Sequence, residues 1–249
     1  MQYFPIANEP ERERRWRDRL RADGFDVLEA YDPSATIVTI GGDGTILYAA
    51  RMYSDPTILP VRAGTSKGLR AAFDVELLIE KLRSLEDGDG EFVSRSFQTL
   101  TAFTDGDELR DGFRALNEIS LHHQSPVLAT TFATRIEDEG TSWAFPELIG
   151  DGVLVATPFG STGYFRAITG QTFLEGFGIA FNNIHQPRDT PEMIRCTEDA
   201  VVELEVLTTK RSSGAVLTRD DDGEPYELDA GETITVRAGE RTVDLLDIE

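Results

Sequence analysis

The chain has 249 residues, which is enough for two domains that each bury a core. Its 45 Asp and Glu residues outnumber its 24 Lys and Arg residues, and the net charge of −21 excludes general nucleic-acid binding, which needs a basic face. Such an acidic excess, in which only three of the cations are lysine, is typical of a salt-rich cytoplasm, where ions screen self-repulsion. We therefore expect a halophilic source, with salt as a folding condition.

Cysteine content and targeting signals bear on the expected cellular location of the protein. Cys196 is the single cysteine, so no intrachain disulfide can form. No apolar run reaches the length of a membrane span, and the N-terminus lacks the basic and apolar segments of a signal peptide. We expect a cytoplasmic protein that does not bind membranes.

The first part of the chain, residues 1–95, alternates between strand and helix patterns. Alternation of this kind predicts a parallel sheet covered by helices, in a Rossmann-like α/β domain. The charged cluster Arg12 to Arg21 predicts an exposed helix face with many ion pairs. The predicted elements in chain order are an apolar segment at 3–7, a helix at 11–22, an apolar segment at 26–31, a strand at 35–40, a helix at 45–53, a strand at 57–61 and a helix at 75–85.

The second part, residues 96–249, reads mostly as strands. Several of them alternate apolar and polar residues with period two, and Asp-Gly turns separate them, which predicts a β-sandwich-like domain. The predicted strands lie at 97–104, 113–122, 126–137, 142–146, 151–158, 176–183, 200–208, 214–219, 232–238 and 242–248.

The stretch IGGDGTIL, residues 40–47 and here called the glycine turn, follows the apolar strand pattern at 35–40. The carboxyl ends of parallel strands are where open α/β sheets bind ligands. Gly42 and Gly44 let a phosphate or ribose approach closely, and the amides of the helix that follows point toward an anion. Asp43 would repel a phosphate, so we interpret it as the group that orients or deprotonates an attacking hydroxyl. The alternative is a plain Asx-turn or helix cap.

A polar pair, Asn117-Glu118, interrupts the apolar strand pattern at 113–122. Neighbours on a strand point to opposite faces, so one of the two should point toward the core side or an interface. A buried Asn offers both a donor and an acceptor, which suits the edge of a purine ring. The alternative is an ordinary polar pair at a strand end.

A third stretch, GDGVLVATPFGSTGY at 150–164, leads from Asp151 through a buried strand into a turn of small residues. Such a turn can wrap a nucleotide closely. Its hydroxyl groups suit contacts with ribose or amide groups, and its aromatic residue suits stacking. These side chains are Thr157, Ser161, Thr162 and Tyr164.

The three motifs together, GGDGT, then NE, then DGxxxxTPxGSTxY, resemble those of the NAD kinase family. The likeness runs from about Asp32 to Leu246 and includes the late turn Asp222-Gly223. It implies a Rossmann-like α/β domain followed by a β-sandwich domain. The implied reaction is phosphoryl transfer from ATP, or from polyphosphate, to the 2′-hydroxyl of the adenosine ribose of NAD, which gives NADP.

The resemblance also implies roles for individual residues. Asp43 would accept the hydroxyl proton beside Gly42, Gly44 and Thr45. Asn117 and Glu118 would hold the adenosine part of NAD. Asp151 would hold the nicotinamide amide, and Thr162 and Tyr164 would line the adenine pocket.

The implied partners are NAD and ATP, with Mg²⁺ delivered by the ATP and a homodimer or homotetramer as the assembly. We predict no metal-binding residue in the protein itself. The adjacent strand residues His122 and His123 should face opposite ways and make a poor chelate, so we assign them surface or structural roles.

The chain departs from the family pattern at several positions. Arg62 stands where the family has Asn, and Phe159 stands where it has Thr or Ser. Gly163 replaces the usual Ala, and the segment 65–69 differs from the family's Leu-Gly-Phe region. These changes leave two alternatives open: a nucleotide-binding paralogue that is inactive or has altered specificity, and a lipid or other small-molecule kinase with the same glycine turn.

Overall fold

The computed structural model describes residues 1–63, 70–125, 127–208 and 214–249. The chain divides into two compact units, the first formed by 1–97 and 241–249 and the second by 98–240. The expected division at residue 95 lies close to the observed one, but residues 241–249 differ from the expectation because they belong to the first unit. The reason is a parallel pairing of Asp244 and Leu245 with Thr57 and Ile58.

The first unit is a parallel α/β layer. Its strands lie in the order β2, β1, β3, β4, with β5 beside the end of β4, and all of these pairs are parallel, which confirms the predicted sheet. The elements are β1 (Gln2–Ile6), α1 (Pro10–Ala22), β2 (Asp26–Val27), β3 (Thr36–Gly41), α2 (Asp43–Met52), β4 (Thr57–Arg62), β5 (Phe73–Asp74), a 3₁₀ turn (Val75–Leu77) and α3 (Leu78–Asp87).

Burial in this unit follows the sequence pattern. Every residue of β3 is buried, as expected for a central strand that is covered on both faces. In α1 only Leu20 is buried, and the polar side of the helix carries ion pairs such as Arg17 to Glu13 at 3.0 Å and Arg19 to Asp23 at 2.6 Å. The predicted ion-paired helix face is thereby confirmed.

The second unit contains most of the strands. They are β6 (Phe92–Thr104, which begins in the first unit), β7 (Asp107–Glu108), β8 (Arg114–Ala115), β9 (Glu118–His123), β10 (Thr130–Asp138), β11 (Thr141–Gly150), β12 (Gly152–Ala156), β13 (Phe177–Asn182), β14 (Met193–Cys196), β15 (Val201–Val206), β16 (Ala215–Arg219), β17 (Tyr226–Leu228) and β18 (Thr233–Ile248, which ends in the first unit). Between them lie 3₁₀ turns at Leu109–Asp111 and Gly160–Thr162 and the short helix α4 (Tyr164–Thr169).

These strands form two antiparallel layers. One layer has the order β14, β13, β12, β9, β16, β17, and the other contains β11, β10, β15 and the first half of β18. One apolar core takes side chains from both layers, for example Val155 of β12 and Val202 of β15, which confirms the predicted sandwich. Some details differ from the prediction. The segments 232–238 and 242–248 belong to one continuous strand, β18, and β7, β14 and β17 were not predicted.

None of the helices in the described ranges combines the length and the apolar character that crossing a bilayer requires.

The acidic composition leads to a prediction about salt. We expect the melting temperature Tm to rise as KCl is raised from about 0.1 M to about 1 M, because the Debye length then falls from about 10 Å to about 3 Å. A gain of 1 kcal/mol in unfolding free energy corresponds to a rise of about 2–4 °C for a chain of this size. Differential scanning calorimetry measures the effect, with sucrose at equal osmolality as the control. A Tm that does not change with KCl would contradict the proposed salt adaptation.

Candidate functional site

The glycine turn lies at the carboxyl end of β3. Gly42 caps α2, so the helix begins at Asp43 rather than at the predicted residue 45. Asp43 and Gly44 therefore belong to the first helical turn. The cap residue, being glycine, contributes no side-chain hydrogen bond to the helix start. An acidic residue in the first turn is favoured by the helix dipole, whose positive end also favours the binding of an anion.

Asp43 is held in place from a second segment. Its Oδ1 accepts a hydrogen bond of 3.2 Å from the backbone N–H of Arg70. Burial lowers the pKa of the Arg70 guanidinium, the charge of Asp43 opposes that shift, and the charge of Arg95 adds to it. The guanidinium also lies over the ring of Phe97, 5.8 Å from its centroid. The half-exposed carboxylate of Asp43 therefore lies within electrostatic reach of the Arg70 guanidinium, a group that can neutralise a phosphate.

Thr45 faces into the protein. It is buried, and its hydroxyl donates to Oδ1 of Asn8 at 2.5 Å. Gly41 is necessary here, because a Cβ atom at this position would lie 2.2 Å from Oγ1 of Thr45. The sequence analysis missed Asn8. It follows β1, the neighbour of β3, so the carboxyl ends of two adjacent strands meet at this point.

Arg62 ends β4, directly beside Gly41 of β3 in the register of the sheet. Its guanidinium contacts Oδ1 of Asp74 at 3.3 Å. The sequence departure at 65–69 lies outside the described residues.

The second unit contributes another cluster around Asn117-Glu118. The expected continuous strand at 113–122 is wrong: β8 ends at Ala115, the backbone bends at Leu116 and Asn117, and β9 begins at Glu118. The side chain of Asp220 causes the bend. Its carboxylate accepts hydrogen bonds from the backbone N–H groups of Leu116, Asn117 and Glu118 at 2.9, 2.7 and 3.2 Å.

The small-residue turn packs onto this bend. Thr157 donates its backbone N–H to the carbonyl of Asn117 at 2.9 Å and its hydroxyl to the carbonyl of Leu116 at 2.5 Å. Gly160 lies so close that a Cβ atom on it would be 2.2 Å from the carbonyl oxygen of Asn117. The two sequence motifs therefore form one structural element.

This close approach predicts a clear effect of a single methyl group. We expect Gly160→Ala to lower the free energy of unfolding by about 1–3 kcal/mol, because backbone must move to admit the Cβ atom. The matched control is Gly163→Ala, whose Cβ would meet the carbonyl oxygen of Gly160 at an ordinary 3.4 Å. Urea denaturation of the two variants measures the difference, and equal stabilities would contradict the assignment.

Two of the predicted hydroxyl groups are used inside the protein. The hydroxyl of Thr157 bonds as described above, and that of Ser161 donates to the carbonyls of Pro158 and Phe173 at 2.9 and 3.0 Å. Both residues are buried. They shape the turn, whereas Thr162 is only half-buried on the same turn. A ligand contact for any of the three remains a prediction.

Tyr164 begins α4 and keeps 38% of its surface exposed. Its phenol oxygen accepts a hydrogen bond from Nδ2 of Asn182 at 3.0 Å. The ring of His122 stacks on it at 5.8 Å with 22° between the planes, and the Oγ of Ser120 lies 2.7 Å from Nε2 of His122. His122 thus supports a predicted site residue, a role that sequence reasoning missed because the two residues lie in different motifs.

A cavity of 470 Å³ opens beside Tyr164. This volume is in the range of small-molecule sites. Its lining combines apolar side chains with amide, hydroxyl and carboxylate groups, and consists of Tyr164, Ala167, Ile168, Phe181, Asn182, Asn183, Ile184, Thr190, Pro191 and Glu192.

Asp151 lies between β11 and β12 and belongs to the same neighbourhood. Its Oδ2 accepts a hydrogen bond from Nδ2 of Asn183 at 3.0 Å. The carboxylate charge also opposes the lowering of the pKa of His122 by burial. Gly152 has φ of +149°, and a Cβ on it would lie 1.8 Å from the carbonyl oxygen of Leu121, so the residue after Asp151 has to be glycine.

Glu118 is the most perturbed acid of this cluster. It is 8% exposed, and burial, followed by the charges of Asp220 and Asp221, raises its pKa to about 8. Glu118 also contributes to the raised pKa of Tyr164, which places the two side chains within electrostatic reach. The second unit therefore brings together Asn117, Glu118, Asp151, Thr157 and Tyr164.

Comparisons with known proteins identify sequence relatives of the chain. No protein-family model matches the chain. It is 30% identical to an NAD kinase from Natranaerobius thermophilus over 213 residues, which cover 81% of this chain and 68% of the relative. It is 28% identical to NAD kinase 2 of Oceanobacillus iheyensis over 214 residues, 82% of this chain and 76% of the relative.

Solved structures share the fold. A yeast NADH kinase complexed with NADH superposes with a TM-score of 0.78 at 17% identity, covering 99% of this chain and 83% of that one. An NAD kinase from Archaeoglobus fulgidus in complex with ATP gives a TM-score of 0.75 at 21% identity, with coverages of 98% and 93%. Together, the sequence relatives and the shared fold show that the chain belongs to the NAD kinase family.

Proposed function

We propose that this protein transfers the terminal phosphoryl group of ATP to the 2′-hydroxyl of the adenosine ribose of NAD, which gives NADP. The observation that carries the proposal is the position of Asp43. Its carboxylate stands between two glycines at the end of a parallel strand and at the start of a helix, where phosphates approach and where a hydroxyl needs an acceptor for its proton. The names of the sequence relatives support the same reaction.

In the proposed step, Asp43 accepts the proton of the 2′-hydroxyl as the ribose oxygen attacks the γ-phosphorus of ATP. The bond between that phosphorus and the bridging oxygen breaks, and ADP leaves with its Mg²⁺. Such transfers depend on positioning and on neutralising charge rather than on covalent catalysis. The positive end of the α2 dipole and the guanidinium group of Arg70, with that of Arg95 close to it, supply positive charge on the protein side.

Binding of NAD is assigned to the second cluster. Asn117 and Glu118 hold the adenosine, Thr162 and Tyr164 line the adenine pocket, and Asp151 holds the nicotinamide amide. The complex of NADH with the yeast NADH kinase supports a dinucleotide ligand, and the ATP complex of the Archaeoglobus enzyme supports ATP as the donor.

An assay of the purified protein tests the proposal. The protein is incubated in molar KCl with NAD, Mg²⁺ and either ATP or polyphosphate, and NADP is measured by chromatography. We expect NADP with at least one donor, and a parallel reaction with NADH measures the preference between the two dinucleotides. Absence of NADP with both donors, together with absence of NAD binding in calorimetry, would falsify the proposal.

The assembly that we propose is a homodimer or homotetramer in the cytoplasm of a salt-adapted cell. It is supported by the family resemblance and by the acidic composition. Light scattering in molar KCl measures the mass of the assembly.

A further inference from the structure

Glu118 and Asp220 form a pair of neighbouring acids in very different surroundings. Asp220 lies in the turn after β16, and its backbone N–H donates to the carbonyl of Glu118 at 3.0 Å. Glu118 begins β9 and is more than nine-tenths buried. The proposed kinase reaction does not use the acid–base chemistry of either side chain.

Hydrogen bonds favour the charged form of one acid only. Three backbone N–H groups donate to the carboxylate of Asp220, which stabilises its negative charge. By contrast, the Oε2 atom of Glu118 is buried, and no partner bonds to it among the described residues. A buried carboxylate oxygen without a donor is costly, whereas a carboxylic acid that still has a proton to donate can be satisfied by a ligand.

The charges around Glu118 act in the same direction. The charges of Asp220 and Asp221 both oppose the ionisation of Glu118. The phenol of Tyr164, at the start of α4, lies within electrostatic reach of Glu118. Arg219, which directly precedes Asp220 in the sequence, pairs with Asp222 at 2.9 Å and donates to the carbonyl of Gly112. When two carboxyl groups lie close together and accept different numbers of hydrogen bonds, they usually hold one proton between them. That proton lies on the carboxyl group that accepts fewer hydrogen bonds.

We propose that Glu118 is protonated at neutral pH and donates a hydrogen bond to a lone-pair acceptor of the bound dinucleotide. The acceptor belongs to the adenosine part, as either a purine ring nitrogen or a ribose oxygen. This inference rests on the proposed function, which assigns adenosine to Asn117 and Glu118. It adds the direction of the hydrogen bond, because an ionised Glu118 would instead accept one from a ribose hydroxyl or an exocyclic amine.

The sign of the pH dependence follows directly. Burial raises the pKa of Glu118 to about 8, so the donor is present below that pH and disappears above it. Affinity for NAD should therefore be constant below about pH 8 and fall by about tenfold for each pH unit above it. Three neighbouring groups should keep their protonation state as the pH rises through 8. The pKa of Tyr164 is raised, that of His122 is lowered, and that of Asp220 is about 6.

Calorimetric titration of the full-length protein with NAD, from about pH 6.5 to about pH 9.5, tests the inference. The wild type should lose affinity above pH 8. Glu118→Gln keeps an N–H donor of similar shape at all pH values, so its affinity should not change across the range. Glu118→Ala should bind NAD weakly at every pH. A wild type with constant affinity, or a Gln variant that loses affinity like the wild type, overturns the proposal.

An experiment without ligand separates this inference from the proposed function. The infrared difference spectrum between the wild type and Glu118→Gln at pH 7 should contain the carbonyl band of a protonated carboxylic acid, and the band should disappear as the pH rises above 8. Absence of the band at pH 7 overturns the proposal. A clear band in a protein that does not bind NAD would overturn the proposed function and the ligand part of this inference, while the protonation of Glu118 would stand.

Discussion

Asp43→Asn is expected to lower kcat by about 100-fold to 10,000-fold, because a positioned general base contributes that factor. The substitution keeps the size of the side chain. It also keeps an oxygen that can accept the hydrogen bond from the N–H of Arg70, which now spans 3.2 Å. The side chain loses only its charge and its ability to take a proton.

The competing structural effect of this change is small. Loss of a negative charge in the first turn of α2 costs about 0.3–1 kcal/mol of stability through the helix dipole. The expected loss of catalysis corresponds to about 3–5 kcal/mol in the activation barrier, so the two effects can be told apart. Steady-state kinetics with NAD and ATP, together with thermal melting, measure both. Full activity in the Asn variant would remove Asp43 from the mechanism.

Asp220→Ala is expected to lower the free energy of unfolding by about 2–4 kcal/mol, because three backbone donors lose their common acceptor. The bend at Leu116 and Asn117 should then relax. Because Thr157 bonds to the carbonyls of the same two residues, the turn that precedes Tyr164 should lose its support as well. NAD affinity should fall together with stability.

The matched control is the exposed neighbour Asp221. Asp221→Ala removes the same carboxylate group but none of the three hydrogen bonds. Urea denaturation followed by tryptophan fluorescence measures stability, and calorimetry measures NAD binding. Equal losses in the two variants would show that overall charge, rather than the hydrogen bonds of Asp220, controls the bend.

Much of the fold could be predicted from sequence because its causes are local. Apolar runs separated by helix patterns predict a parallel sheet, and period-two alternation with Asp-Gly turns predicts a sandwich. The return of Asp244 and Leu245 to the first unit could not be predicted. The parallel pairing with β4 depends on which strand edge is available in the folded protein. The sequence of residues 242–248 contains no pattern that predicts β4 as the partner.

The site was only partly predictable for the same reason. The motif residues Asp43, Glu118 and Tyr164 stand out because each is an unusual residue for its local pattern. Asp220 organises the Asn-Glu bend from more than 100 residues away, and it lies in a run of three aspartates that looks like a solvated turn. The hydrogen bonds of the Thr157 and Ser161 hydroxyl groups could not be predicted either, because they depend on carbonyl groups that tertiary packing brings near.

The first unit is built from two separate chain segments, 1–97 and 241–249, and this affects the order in which the protein folds during synthesis. The segment 98–240 is continuous, so it can begin folding on the ribosome as soon as it has emerged. Strand β4, although translated early, receives the partner residues Asp244 and Leu245 only after that whole segment has been made. The cluster around Asn117-Glu118 should therefore mature before the α/β layer does, and nascent chains released before residue 244 should expose Thr57 and Ile58 of β4 to chaperones without their strand partners.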